Sequence, residues 1–405
     1  LHLAQDPAGV LLGADGVVVS PGVPLVLPEL VAARAAGVPI MGEVELASRF
    51  IRGRFVGITG TNGKSTTTAL CGALFQAAGV RTFVGGNLGL PLSEAALAPE
   101  PFDVHVVELS SFQLEGTESM RVNAAAILNL QPDHIDRYVD MAAYGAAKAR
   151  IFRSQDLLPG AGDFAVINAD DAEVLSLSRT AKVPVYGFTL HPEKVPEGTF
   201  TGLARRSEAG FCLELPERAP ETYRVQNRAL RGRHNIQNAM AAALLARLSD
   251  VPPEAIQRGL DGFPGLPHRI ESVETVGGVE WVNDSKATNV DSSLVALDAF
   301  PGNLWLILGG KGKGAPYTPM VEASRRKVKG VLTIGQDAPT IEAAYAGAVP
   351  VTPCGTLEAA VAKARELAVP GDVVLLSPAC ASYDQFRNFE HRGDTFTSLV
   401  RGLSR

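Results

Sequence analysis

Phe55-Val56-Gly57-Ile58-Thr59-Gly60-Thr61-Asn62-Gly63-Lys64-Ser65-Thr66 decides how this chain is read. Its first five residues have the apolar run of a buried strand, and a helical pattern follows over residues 64–78. Between the two, glycines let the backbone curl so that N–H groups converge on an anion, and the helix N-terminus adds partial positive charge. Gly60, Thr61, Asn62, Gly63 and Thr66 would cradle the phosphates, Lys64 would reach the terminal ones, and Ser65 would ligate Mg²⁺. The common phosphate loop carries a glycine five positions before Gly63, where this chain has Ile58, so this is a shorter variant. An ordinary strand-to-helix turn is the alternative; the strand–loop–helix context favours phosphate.

Working outward, further strands are predicted at residues 103–109, 125–129 and 164–168, with helices between them such as 141–152. Such alternation implies an α/β fold with a mostly parallel sheet covered on both faces. Upstream, a strand at 16–20, a helix at 28–36 and a short strand at 38–41 form a small α/β unit; with two strands it looks incomplete. Residues 192–223, richer in charge, Gly and Pro, are read as a few antiparallel strands or a loop insertion. A helix with an alanine-rich apolar face spans 234–248. Phe263-Pro264-Gly265-Leu266-Pro267 breaks both helix and strand. After it the alternation resumes, with strands at 280–283, 304–308, 331–334 and 373–377.

Composition bounds the function. The 405 residues suit about two to four domains. The net charge of −6, from 37 basic and 43 acidic residues, leaves no basic footprint for nucleic acid. Cys71, Cys212, Cys354 and Cys380 lie far apart, as free thiols in a reducing cytosol would. No signal-peptide pattern is read in these residues, and no apolar run approaches the roughly 18 residues of a membrane helix. The chain begins at Leu1 rather than Met, which leaves open a start further upstream.

Other candidates sit at predicted strand ends. Glu108 ends an apolar strand, where a carboxylate faces the crevice and suits Mg²⁺; a capping or solvent-facing acid is the alternative. His134 follows another strand, in Gln131-Pro132-Asp133-His134-Ile135-Asp136-Arg137, with structural and catalytic readings evenly matched. His105 reads as packed inside its strand. Lys148, taken alone, reads as a solvated helix lysine. Asn283-Asp284-Ser285-Lys286-Ala287-Thr288-Asn289 crowds an acid, a base and two amides into one strand-end segment, although turns also favour such residues. Gly309-Gly310-Lys311-Gly312-Lys313-Gly314 is a weak second glycine loop. Arg269, Lys286 and Lys313 could supply positive charge to a transferring phosphoryl group.

In this order the segments resemble the Mur ligase family. The phosphate loop, His134, the Lys148 helix, His234-Asn235 and His268-Arg269 carry the resemblance. Glu108-Leu109-Ser110-Ser111-Phe112-Gln113-Leu114-Glu115, residues 283–289, residues 309–314, and Ser377-Pro378-Ala379-Cys380-Ala381-Ser382 with Asp384-Gln385-Phe386 and Asn388-Phe389-Glu390 resemble its glutamate-adding members, over essentially the whole chain. The resemblance implies three domains: a UDP-substrate-binding domain at 1–50, apparently lacking its first elements, a central P-loop ATPase-type parallel sheet at 51–265, and a C-terminal Rossmann-like glutamate-binding domain at 266–405 that closes over the site. It implies ATP-dependent joining of D-glutamate to UDP-N-acetylmuramoyl-L-alanine through an acyl phosphate, in the cytoplasmic synthesis of peptidoglycan precursor. A monomer with small-molecule partners alone is expected, without nucleic acid or membrane.

Residue by residue, the resemblance implies Lys64 on the β/γ-phosphates, and Ser65 and Glu108 on a first Mg²⁺. His134 and Lys148 would serve a second, with Lys148 carbamylated. Asn87 would contact the muramoyl substrate and Ser20 the UDP part. Asn238, Arg269 and Asp284 would bind nucleotide, and Lys286, Thr288, Lys313, Ser382 and Phe389 would shape the glutamate site. Lys64, His134, Lys148 and Lys286 form the expected catalytic set. The family's first strand and its glycine loop are expected before Leu1. Two other readings stand beside this one: a related ligase with a different acceptor, such as folate, and a nucleotide-binding regulator that has lost ligation.

Overall fold

The computed structural model describes residues 7–132, 137–155 and 162–403. Contacts divide the chain into two compact units, Leu1–Gln226 with Asn235–Phe263, and Asn227–His234 with Pro264–Arg405. In the first unit, β1 (Val17–Val19) and β2 (Ile40–Gly42) form a parallel pair flanking the helix Pro28–Ala35. Then come β3 (Arg54–Thr59), β4 (Thr82–Gly86), β5 (Val104–Glu108), β6 (Ala124–Ile127), β7 (Phe164–Asn168), β8 (Val185–Thr189), β9 (Gly202–Arg206), β10 (Gly210–Glu214) and β11 (Glu221–Arg224). Among the described residues they make one sheet in the order β11-β10-β9-β8-β7-β6-β3-β5-β4.

Strands β3 to β9 run parallel, and β9, β10 and β11 are antiparallel to one another. The charged, glycine-rich stretch therefore extends the sheet rather than leaving it. Every residue of β5, β6 and β7 is buried, as expected where helices cover both faces of a parallel sheet. His105 is packed in β5 against the rings of Phe55, Phe83 and Phe102, and burial holds its pKa below the usual value. The chain leaves β3 toward β4 and β5 on one side and returns to β6 on the other. That reversal opens a crevice at the carboxyl ends of β3, β5 and β6, where α/β sheets bind ligands.

Hydrogen bonds at Gly42, Glu43 and Glu45 fasten the β1–β2 segment to the elements around the large sheet, Glu43 Oε1 accepting from Ser93 N–H (2.6 Å). Gly42 N–H donates to Gly116 O (2.9 Å), and a side chain on Gly116 would place its Cβ 2.9 Å from Gly42 N, so the approach requires glycine. Beside it, Glu45 is fully buried in the helix Glu43–Ser48. Its carboxylate accepts from the N–H groups of Glu118 (2.9 Å) and Met120 (2.9 Å) and from the Ser119 hydroxyl (2.5 Å). Burial pushes the Glu45 pKa upward, but these donors and Arg49 outweigh it and hold the group at about 2.

The second unit holds β12 (Glu271–Val276), β13 (Val279–Asn283), β14 (Leu304–Gly309), β15 (Val328–Ile334), β16 (Val351–Gly355) and β17 (Val373–Leu376), ordered β12-β13-β17-β14-β15-β16. Only the β12–β13 hairpin is antiparallel. This sheet lies between two apolar clusters, one around Leu306, Met320 and Tyr345, the other around Trp281, Leu376 and Phe396. Because β17 inserts between β13 and β14, the segments after those three strands meet at one edge. The four cysteines are free thiols, Cys354 being the one not fully buried. Among the described residues no helix is long and apolar enough to cross a membrane.

Candidate functional site

The loop after β3 turns on Gly60 (φ 149°) and Gly63 (φ 83°), and the helix Lys64–Ala77 starts at once. Gly63 is required twice over: its backbone is left-handed, and a Cβ there would lie 2.5 Å from Asn238 Oδ1. Asn238 and Asn235 are buried on the helix Arg233–Arg247, joined by Asn238 Nδ2 donating to Asn235 Oδ1 at 3.0 Å. Lys64 Nζ donates to Thr61 O (2.8 Å), folding over the loop it belongs to. The first-turn N–H groups of the helix have no intrahelical partners, so the loop presents donors and a cation together. Ser65 is half-buried and Thr66 buried at this turn.

Two neighbours complete this edge. Glu108, at the end of β5, is 2% exposed. Its Oε1 accepts from Asn87 Nδ2 (2.8 Å), whereas its Oε2 is buried without a hydrogen-bond partner among the described residues. A buried carboxylate oxygen left so is costly, and a cation fits it. Lys148 is not the solvated helix lysine that its local sequence suggests. It is 1% exposed, its Nζ donates to Gly60 O (2.9 Å), and it lies 4.5 Å from the centre of the Tyr144 ring. The helix Met141–Ala149 turns this face toward the loop, which one helix's sequence could not reveal. His134 lies outside the described residues. Among those described, no three His, Cys, Asp or Glu side chains group as metal ligands. Ser20, at the end of β1, lines a narrow cavity of about 10 Å³ with Pro21, Gly42, Phe112 and Gln113.

In the second unit, Asp284 follows β13 and is almost fully buried. Its Oδ2 accepts from Ser377 Oγ (2.7 Å) and its Oδ1 from Ile270 N–H (3.2 Å). Burial raises its pKa to about 7, against the opposing pull of Ser377, Arg269, Ile270 N–H and Arg392. Arg269 sits between two non-glycine residues with left-handed backbone, His268 (φ 61°) and Ile270 (φ 47°). For a β-branched residue this is strained, and strain of that kind collects at functional turns. The turn is held by His268 N–H on Glu271 Oε2 (2.8 Å) and Lys286 N–H on His268 O (3.0 Å).

Lys286 Nζ stands 6.0 Å from the centre of the Phe389 ring, and Phe389 O accepts from Ser285 Oγ (2.8 Å). Lys311 and Ala381 exchange backbone hydrogen bonds (2.8 and 3.0 Å), which sets the loop bearing exposed Lys313 beside the segment bearing buried Ser382. Thr288 is half-buried, its N–H on Lys286 O (2.9 Å).

Comparison with known proteins agrees with this geometry. Residues 58–246 match the Mur ligase middle domain, and residues 268–380 match the Mur ligase glutamate ligase domain. The UDP-N-acetylmuramoylalanine–D-glutamate ligase of Myxococcus xanthus is 65% identical over 399 residues, 98% of this chain and 86% of that protein. Its namesake from Anaeromyxobacter dehalogenans is 55% identical, over 100% of this chain and 87% of that protein. The chain belongs to the Mur ligase family. Solved structures agree on the fold alone. A pseudomurein peptide ligase type C from Methanothermus fervidus superposes with a TM-score of 0.63 at 19% identity, covering 98% of this chain and 89% of that one. UDP-N-acetylmuramate-alanine ligase from Thermotoga maritima gives 0.62 at 18%, covering 96% and 85%.

Within this Mur ligase, the structure places Lys64, Ser65, Asn87, Glu108, Lys148 and Asn238 at one edge of the first sheet. It places Arg269, Asp284, Lys286, Lys313, Ser382 and Phe389 at one edge of the second. Sequence reasoning passed over Arg392. It is 1% exposed and donates to Ser285 O (2.8 Å), Ser285 Oγ (2.9 Å) and Cys380 O (3.1 Å), tying two of the strand-end segments together. Burial lowers its pKa to about 10. An arginine on an amphipathic helix gives no local sign of being buried.

Proposed function

We propose that this Mur ligase joins D-glutamate to UDP-N-acetylmuramoyl-L-alanine, cleaving ATP to ADP and phosphate, in the cytoplasmic synthesis of peptidoglycan precursor. One observation carries the reading: the strand–loop–helix turn at 60–66, which brings the N–H donors from Gly63 onward together with Lys64, stands beside buried Glu108 and Lys148, in a chain 65% identical to a ligase named for that reaction.

The chemistry asks for two steps. A carboxylate is a poor electrophile, so its oxygen first attacks the γ-phosphorus of ATP, and ADP leaves with the bond electrons. The glutamate amine, having lost a proton, then attacks the acyl carbon. Phosphate departs, and the nitrogen gives up a second proton as the amide forms. In the first step two anions meet, and the loop N–H groups with Lys64 stabilise the charge on the transferring group. Mg²⁺ would neutralise phosphate charge, held by Ser65 and Glu108, with Lys148, as a carbamate, and His134 serving a second ion. Asn87, bonded to Glu108, would orient the muramoyl substrate, and Ser20 would face its UDP part. Asn238, Arg269 and Asp284 would hold the nucleotide. Lys286, Lys313, Thr288, Ser382 and Phe389 would receive glutamate, the two lysines matching its two carboxylates.

Phosphate release from ATP tests this directly, with UDP-N-acetylmuramoyl-L-alanine and D-glutamate each omitted in turn. Release that needs both, with a product heavier by one glutamate residue, is expected; release indifferent to the amino acid would reject the ligase reading. The metal assignment has its own test. Glu108→Gln keeps the shape and the Asn87 contact but removes the charge, so the Mg²⁺ concentration for half-maximal activity should rise by at least about tenfold. An unchanged Mg²⁺ titration would take Glu108 out of the metal site.

A further inference from the structure

We propose that Asn129 is a positioning residue that holds the phosphate loop in its nucleotide-binding shape; the inference rests on the reading that this loop binds ATP. After β6 the main chain keeps pairing with the end of β3: Leu128 N–H donates to Thr59 O (3.0 Å), and Thr61 N–H donates to Asn129 O (3.0 Å). The Asn129 side chain then continues the ladder. Its Oδ1 accepts from Asn62 N–H (2.7 Å) and Thr61 N–H (3.1 Å), and its Nδ2 donates to Asn62 O (3.0 Å). A carboxamide has the donor and acceptor of a peptide group, so one side chain satisfies both sides of Asn62 and fixes that residue's orientation.

Gln131 adds a second hold. Its Oε1 accepts from Asn62 Nδ2 (3.0 Å), its N–H donates to Thr61 Oγ1 (3.0 Å), and its carbonyl accepts from Thr61 Oγ1 (3.2 Å). With the N–H groups of Thr61 and Asn62 turned to Asn129, the donors left to face a phosphate are those from Gly63 onward, at the head of the Lys64 helix. Asn129 therefore acts on the nucleotide through the loop. Its carboxamide bonds the loop backbone from the β6 side, while Lys64 folds over Thr61 O.

The test measures ADP affinity by calorimetry and the KM of each substrate in full-length Asn129→Ala and Asn129→Asp, with Lys64→Ala as control. Asn129→Ala should raise the ADP dissociation constant and the ATP KM by about tenfold, through the lost loop hydrogen bonds. The KM for D-glutamate should stay within about twofold, a split that general destabilisation would not produce. Asn129→Asp, close in shape, keeps acceptors for both N–H groups but loses the donor and adds charge, so ATP should weaken further and more so at low salt. ADP affinity unchanged in both Asn129 variants but lost in Lys64→Ala would overturn the inference and leave the loop assignment standing. ADP affinity unchanged in Lys64→Ala as well would overturn the loop assignment, and this inference with it.

Discussion

Replacing Lys64 with alanine is expected to lower kcat/KM for ATP by about 10³-fold while leaving the fold intact. The ammonium is the loop's own cation, fixed at the first residue of the helix Lys64–Ala77 and lying 2.8 Å from Thr61 O. When a carboxylate approaches a triphosphate, the barrier is dominated by charge, and a cation held in place needs no reorganisation as that charge shifts. Alanine is a strong helix former, and the side chain is only half-buried, so unfolding free energy should change by less than about 1 kcal/mol. Lys64→Arg keeps the charge but carries it on a longer, planar group, and should recover only a minor part of the activity. Steady-state kinetics with thermal unfolding on the same samples decides the matter. A Lys64→Ala enzyme within tenfold of the parent would mean that the transferring phosphoryl group is bound elsewhere.

The loop was legible because its chemistry is local: a strand, two glycines at positive φ and a lysine at the helix start must be contiguous to work. Both sheets could be anticipated from apolar runs, since strands buried on both faces leave little choice of residue. What escaped were strands without such runs. Polar β12 has no fully buried residue, although Gly277-Gly278 between it and β13 is a hairpin signal. Edge strand β16 carries Pro353, and edge strand β4 ends in two glycines. Strand β8, between β7 and β9, was likewise not assigned. Lys148 and Arg392 escaped for a different reason: each is buried by a surface contributed from another part of the chain, so neither its spacing nor its neighbours declare it. Asn129 belongs with them, because its partners are 67 and 68 residues away.

The second large effect should come from Glu45. At neutral pH, Glu45→Gln is expected to destabilise the first unit by about 3 kcal/mol, more than a neutral hydrogen bond would account for, because a buried charge with several donors is being dismantled. An amide cannot stand in for the carboxylate. Oε2 receives the N–H groups of Glu118 and Met120, while Oε1 receives the Ser119 hydroxyl and Arg49. Whichever oxygen becomes –NH₂ must face donors with donors. The pH dependence has a definite sign. The folded pKa of about 2 lies below the ordinary 4.5, so the stabilisation is complete above about pH 4.5 and is lost as the pH falls toward 2. Denaturant unfolding of parent and Glu45→Gln proteins should therefore show a gap that is wide at pH 7 and narrows at pH 3. A gap independent of pH would assign the loss to shape rather than charge. Hydrogen exchange locates it: because Glu45 fastens the β1–β2 segment to residues 118–120, the amides of β1 and β2 should lose protection before those of β3 to β7, and uniform loss across the unit would contradict a local clasp.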